Sequence, residues 1–198
     1  MTTFFLVRHA LHVLGPGILA GRIPGTRLTD EGHGQAVRVA RWFERERVTA
    51  VHSSPQERTL ETARPIAEQA HITVEIVPAL DEVDFGEWAG NSFEMLERDP
   101  RWVLWNAKRD SASTPAGETM RDVAKRVVGH IEQVRAGDPA GRIVIVSHAE
   151  VIRTAVLHYL GLPFSAFTRI QIDAASISKL VFTDGGAAIA SLNERAAA

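Results

Sequence analysis

The chain has no cysteine, and that absence closes several chemistries at once. It can form no disulfide, offer no thiolate nucleophile and build no cysteine-ligated zinc site. The same absence fits a cytoplasmic protein. No apolar stretch reaches the length of a membrane span. The first apolar run is cut short by Arg8 and His9, so no secretory leader is expected at the N-terminus. An excess of one charge is also lacking: 22 basic against 24 acidic residues leave a formal net charge of −2, with a pI near 6.4. That balance builds neither a nucleic-acid coat nor a surface for anionic membranes. Internal repeats and low-complexity tracts are missing too. What is there is an ordinary soluble composition, 45% hydrophobic and 23% charged over 198 residues. Such a chain can fill the core of one domain spanning residues 1–198.

Phe4-Phe5-Leu6-Val7 reads as a short buried strand that ends in Arg8-His9. Residues 11–27 form a loop with Gly15, Gly17, Gly21 and Gly25 but without P-loop spacing. Long loops of this kind are functional or mobile. Thr29 then caps a helix with Asp30 and Glu31 in its first turn and an apolar stripe at Ala36, Val39, Ala40 and Phe43. A second strand is expected over 48–52. Ser54-Pro55-Gln56-Glu57 reads as a capping box with Pro55 at the first helical position, and Pro65 should kink or divide the helix that follows. A third strand is expected over 72–77.

Residues 79–117 carry little strand pattern and read as a loop with short helices, in which 89–117 covers a sheet edge. A helical stripe from Met120 to Val134 ends at Gly137-Asp138-Pro139, and Ile143 to Val146 is the continuous apolar run of a central parallel strand. That strand ends in Ser147-His148, and a helix follows it as far as Gly161. Residues 176–182 and 187–192 form a terminal hairpin, with 193–198 a frayed tail. Strands alternating with helices imply a three-layer α/β/α sandwich with a mostly parallel central sheet.

Three strands therefore end in polar signatures: Arg8-His9, Ser53-Ser54-Pro55 with Arg58 one turn later, and Ser147-His148. An isolated Arg-His pair merely closes a strand and solvates its end. Three such ends on one parallel sheet share a crevice, which is where open α/β sheets bind ligands. Two imidazoles and two guanidiniums there call for a dianion, and guanidinium forks match phosphate oxygens.

These residues carry a resemblance. Leu6-Val7-Arg8-His9-Ala10 resembles the Arg-His-Gly signature of the histidine phosphatase superfamily, also called phosphoglycerate mutase-like. Ser53-Ser54-Pro55-x-x-Arg58-Thr59-x-x-Thr62-Ala63 resembles its second motif, Leu80-x-Glu82-x-x-Phe85-Gly86-x-Trp88 its acid-donor motif, and Val146-Ser147-His148 its distal histidine motif. The chain departs from the pattern at Ala10, Leu11-His12, Ala89 and Ala149-Glu150. None of these removes a reacting group, but they change the ground around the substrate.

The resemblance implies a phosphoglycerate mutase-like fold and a set of roles. His9 is the nucleophile, which requires a neutral ring with one N–H held by a backbone carbonyl. Arg8, Arg58 and His148 grip the equatorial phosphoryl oxygens. Glu82 protonates the leaving alkoxide and then activates water, with Asp81, Asp84 and nearby aromatics raising its pKa. From spacing alone, Glu82 reads as a solvated loop acid in an acidic run, and it is the surrounding Leu-x-Glu-x-x-Phe-Gly-x-Trp pattern that favours the acid donor. Arg22 is either a further substrate contact or a surface arginine. Ser54 is a helix cap, Trp88 packs the acid loop, and Trp102, Trp105, Lys108 and Arg109 are specificity candidates only through their place in the covering segment.

His12 makes a weak metal reading, and His33, His52, His71, His130 and His158 are structural or solvated. The implied protein is a metal-independent phosphomonoester hydrolase, a histidine phosphatase that forms a phosphohistidine on His9. It needs no cofactor, and its partner is a small-molecule phosphomonoester. Mutase-type transfer is the alternative, since it uses the same residues. Mutases of the family carry longer insertions and a longer C-terminal tail, which favours the phosphatase. A non-catalytic phospho-ligand binding module ranks third, because it would have lost His9, His148 or an arginine.

Overall fold

A computed structural model describes residues 1–196. Its centre is a six-stranded sheet in the order β3-β2-β4-β1-β5-β6. The strands are β1 (Thr2–Arg8), β2 (Ala50–Ser53), β3 (Val74–Ile76), β4 (Arg142–Ser147), β5 (Ser176–Thr183) and β6 (Gly186–Arg195). β3, β2, β4 and β1 run parallel, while β5 and β6 are antiparallel. The mostly parallel α/β sandwich is therefore present.

Alternation along the strands divides two cores. Phe5 and Val7 of β1, with Val144 and Val146 of β4, face helices α1 (Asp30–Trp42) and α2 (Glu57–Ala70). Phe4, Leu6, Ile143 and Ile145 face α5 (Met120–Gly137) and α6 (Ala149–Tyr159). Because β1 and β4 are covered on both sides, every one of their apolar residues is buried, each contributing roughly 1.5–3 kcal/mol of transfer free energy. Between β3 and α5 the chain makes two single-turn helices and then α3 (Phe93–Leu96) and α4 (Pro100–Ala107). The expected loop with short helices over 79–117 is found, held by the aromatic cluster of Phe85, Trp88, Trp102 and Trp105.

Four local expectations are corrected. Ser54 does not cap α2: Gln56 stands at that position without a side-chain cap, because the Ser54 hydroxyl is drawn to Asp81 and His148. Of the two effects expected of Pro65, division of α2 does not occur, since buried Thr62, Ala63, Ile66 and Ala67 hold the helix on both sides of it. β3 is only three residues long, an edge strand with Glu75 and Ile76 exposed. Residues 193–195 are not frayed but belong to β6, where Asn193 and Arg195 bind Asp173. The expected tail's last two residues, 197 and 198, lie outside the described residues. Among the described residues no helix is long and apolar enough to cross a membrane.

Candidate active site

Sheet register brings the three strand ends together. Arg8 of β1 pairs with Ser147 of β4, and Ser53 of β2 pairs with Val146, so His9, Ser54 and His148 follow side by side. The turn after β1 is tied on three sides. The His9 N–H donates to the Ser147 carbonyl, the Ala10 N–H to Thr62 Oγ1 of α2, and the Leu11 N–H to Gln35 Oε1 of α1. The Ala175 N–H closes it from below on the Arg8 and His9 carbonyls.

His9 is almost fully buried. Its Nδ1 lies 2.9 Å from the Ala10 carbonyl, an acceptor only, so Nδ1 carries the proton and Nε2 keeps its lone pair. Burial, then Arg58 and Arg8, holds its pKa well below the ordinary imidazole value. A neutral ring with its single N–H on a backbone carbonyl is the state expected of it.

Arg58 is fully buried. Its Nη2 donates to the Gly21 carbonyl at 2.7 Å and to His148 Nδ1 at 3.1 Å. Its Nε and Nη1, together with Nε of Arg8, are buried without a hydrogen-bond partner among the described residues. Orphaned guanidinium donors are costly unless an anion completes them. Arg8 is anchored through Nη1 on the Ile172 carbonyl.

His148 stands behind this pair. Ser54 Oγ donates to Asp81 Oδ1 and lies 2.8 Å from His148 Nε2, so Nε2–H points to the hydroxyl and Nδ1 accepts from Arg58. His148 lies 5.3 Å from His9 between ring centroids but is fully buried and does not line the cleft. Its contact is with Arg58 rather than with the cleft itself.

Glu82 is also buried beside this group, with Oε2 3.7 Å from His148 Nδ1 and Oε1 accepting from the Val83 N–H. Burial raises its pKa to about 7, with Arg58 pulling down and Glu150 pushing up. The expected increments from Asp81 and Asp84 are replaced by burial and by Glu150. The cleft that joins these groups is about 140 Å³ and is lined by Arg8, His9, His12, Arg58, Glu82 and Glu150 together with apolar residues. Among the described residues no group of three or more histidine and acidic side chains is arranged to hold a metal ion.

Residues 4–195 match the family model of the histidine phosphatase superfamily (branch 1). The chain belongs to that superfamily. Phosphoserine phosphatase 1 of Hydrogenobacter thermophilus is 31% identical to it over 98% of this chain and 92% of that one. A phosphoserine phosphatase variant from Entamoeba histolytica, solved in complex with phosphoserine, superposes with a TM-score of 0.88 at 26% identity, covering 98% and 97% of the two chains. An alpha-ribazole phosphatase from Shigella flexneri gives 0.87 at 25% identity, covering 100% and 98%.

Around this superfamily site, five side chains take up positions that their sequence context did not show. Arg22 does not line the cleft: its Nε donates to the Glu82 carbonyl, and it pairs with Asp81, Asp84 and Glu118. It braces the acid loop from outside. Arg126 of α5 braces the same loop from within, donating to the carbonyls of Ala79, Asp81 and Glu82. Arg126 lies off the apolar stripe of its helix, so its sequence position gave no signal. His12 lines the cleft, 5.3 Å from His9 between ring centroids, with Nδ1 buried and unpartnered among the described residues. Its spacing from His9 was the available signal, and a metal reading obscured it. Trp102 and Trp105 belong to the core under the cover, and of residues 89–117 only Phe93 lines the cleft.

Proposed function

We propose that this superfamily member is a phosphomonoester hydrolase that works through a phosphohistidine on His9. The observation that carries the reading is the set of unpartnered guanidinium N–H donors on Arg8 and Arg58, buried beside an imidazole whose Nε2 is free. A phosphate dianion supplies the acceptors those donors lack. In the first step the His9 Nε2 lone pair attacks phosphorus while the ester P–O bond breaks. The leaving oxygen takes the proton of Glu82. In the second step Glu82, now a carboxylate, takes a proton from water as the water oxygen attacks phosphorus. The P–N bond breaks, phosphate leaves and His9 returns to its neutral form.

Charge in a loose phosphoryl-transfer transition state spreads over the equatorial oxygens, where the two arginines act. His148 serves by holding Arg58 in place. A carboxyl with a pKa of about 7 is suited to give a proton and take it back near neutrality. The resemblance to the phosphoserine phosphatases of H. thermophilus and E. histolytica and to the alpha-ribazole phosphatase of S. flexneri supports hydrolysis over mutase-type transfer.

The test is phosphate release from p-nitrophenyl phosphate and a panel of phosphomonoesters in EDTA, with 3-phosphoglycerate isomerisation followed in parallel. Release that outruns isomerisation, undiminished by EDTA, is expected. Isomerisation outrunning release would make the protein a mutase. Loss of release in EDTA would end the metal-independent reading.

A further inference from the structure

The phosphate-facing groups leave the alcohol unnamed. Beyond them the cleft is walled by Pro16, Ile18, Leu19, Phe85, Phe93 and Ala149. These are apolar, and Phe93 keeps over a third of its surface exposed at the rim. Two polar side chains interrupt the wall. His12 adds no cation, because burial and the charges of Arg58 and Arg8 lower its pKa to about 4. The other is Glu150, near the start of α6, which brings a carboxylate into the cleft.

The cations nearest Glu150 are bound to it. Arg109 binds its Oε2, donates to Asn106, and lies 3.8 Å from the ring centres of both Trp105 and Phe167. Arg153 directs Nη1 to Glu150 Oε1 and lies over Phe167 at 4.2 Å, its Nε buried without a partner among the described residues and outside the cleft lining. Arg22 is turned to the acid loop. Among the described residues that line the cleft, the only cations are Arg8 and Arg58. A second acidic group on the substrate thus meets the Glu150 carboxylate first, while Arg109 and Arg153, neither of which lines the cleft, are bound to that carboxylate. An apolar body meets aliphatic and aromatic surface instead.

We propose that the cleft selects phosphomonoesters whose alcohol is apolar and carries no second acid, and that Glu150 is the residue that turns acidic alcohols away. The selectivity rests on the phosphatase reading given above.

Three primary-alkyl phosphates separate the two components, since each asks the same proton of Glu82: 2-phenylethyl phosphate, glycerol 3-phosphate and 3-phosphoglycerate. The expected order of kcat/KM falls in that sequence, by about tenfold at each step, the scale on which pocket contacts and single like charges discriminate. Glu150→Gln should raise 3-phosphoglycerate against 2-phenylethyl phosphate by about tenfold, because the repelling charge is gone and the arginines gain freedom. Phe93→Ala should lower 2-phenylethyl phosphate more than glycerol 3-phosphate. That second variant, with the wild-type ranking, decides the matter if Glu150→Gln fails to fold.

Equal rates for the three esters, or 3-phosphoglycerate in the lead, would overturn the selectivity and leave the phosphatase standing. An unchanged ratio in folded Glu150→Gln would overturn the role of Glu150. Release from none of them, p-nitrophenyl phosphate included, would overturn both proposals together.

Discussion

Replacing Glu82 by glutamine removes one ionisation while keeping an oxygen for the Val83 N–H to donate to. In the fold the carboxyl titrates at about 7, against 4.5 for the free group. Below pH 4.5 the folded and unfolded chains both hold the proton, and Glu82 costs nothing. Between 4.5 and about 7 the unfolded chain gives it up while the fold keeps it. The fold then binds more protons, so stability falls as pH rises through this window. Above 7 the loss is complete, and at about 1.4 kcal/mol per pH unit it amounts to roughly 3 kcal/mol.

The amide in Glu82→Gln has no such dependence. The other titrating groups of the site, His9 and His148 among them, are present in both proteins and cancel in the difference. Urea unfolding of both proteins from pH 4.5 to 8.5 should therefore show Glu82→Gln gaining on the wild type by about 1–3 kcal/mol across the range. A difference that stays constant with pH would mean that Glu82 ionises like an exposed glutamate, and the acid-donor assignment would lose its physical basis. In activity the same variant should lose about 10²–10⁴ in kcat/KM on alkyl phosphates and far less on p-nitrophenyl phosphate, whose leaving group needs no proton.

Two further substitutions test the scaffold. A Cβ on Gly32 of α1 would stand 2.1 Å from the Leu11 carbonyl, two residues beyond His9. Gly32→Ala should therefore cost about 1–3 kcal/mol of stability and displace the His9 turn, lowering kcat/KM by more than the stability loss explains. A fully active Gly32→Ala would mean that the turn is not held from α1. His71 ends α2 with φ of 56°, the left-handed region. His71→Gly should raise stability by about 0.5 kcal/mol in a urea melt with kinetics unchanged, and a loss of stability would show that the imidazole makes a contact worth more than the strain.

β1 and β4 were readable because each carries a four-residue apolar run that ends abruptly in polar residues, Arg8-His9 and Ser147-His148. The same endings made Arg8, His9, Arg58 and His148 legible as one cluster. Local capping rules failed at Ser54, where Ser-Pro-Gln-Glu fits a helix start but the hydroxyl serves Asp81 and His148, partners 27 and 94 residues away. Such long-range competition leaves no local trace. For Arg22 the choice between substrate contact and surface residue stayed open for the same reason: its glycine-rich loop gives no hint of the acids at 81, 84 and 118 with which it pairs. Arg126 and Glu150 act across elements and carry no motif of their own. Edge strands are the weakest pattern, as β3 and the ends of β6 show, because only one side of each is paired and the pleat is half-solvated.

The central claim is that phosphorus passes through His9. Rapid acid-free quenching of wild type and of Glu82→Gln during turnover of p-nitrophenyl phosphate, followed by peptide mass analysis, tests it most directly. A phosphoryl adduct is expected on the peptide containing His9, lost in acid and stable in alkali, more abundant in Glu82→Gln because its water-activating base is gone, and absent from folded His9→Ala, which should also be inactive. Substantial turnover by His9→Ala, or an adduct on another residue, would remove His9 as the nucleophile.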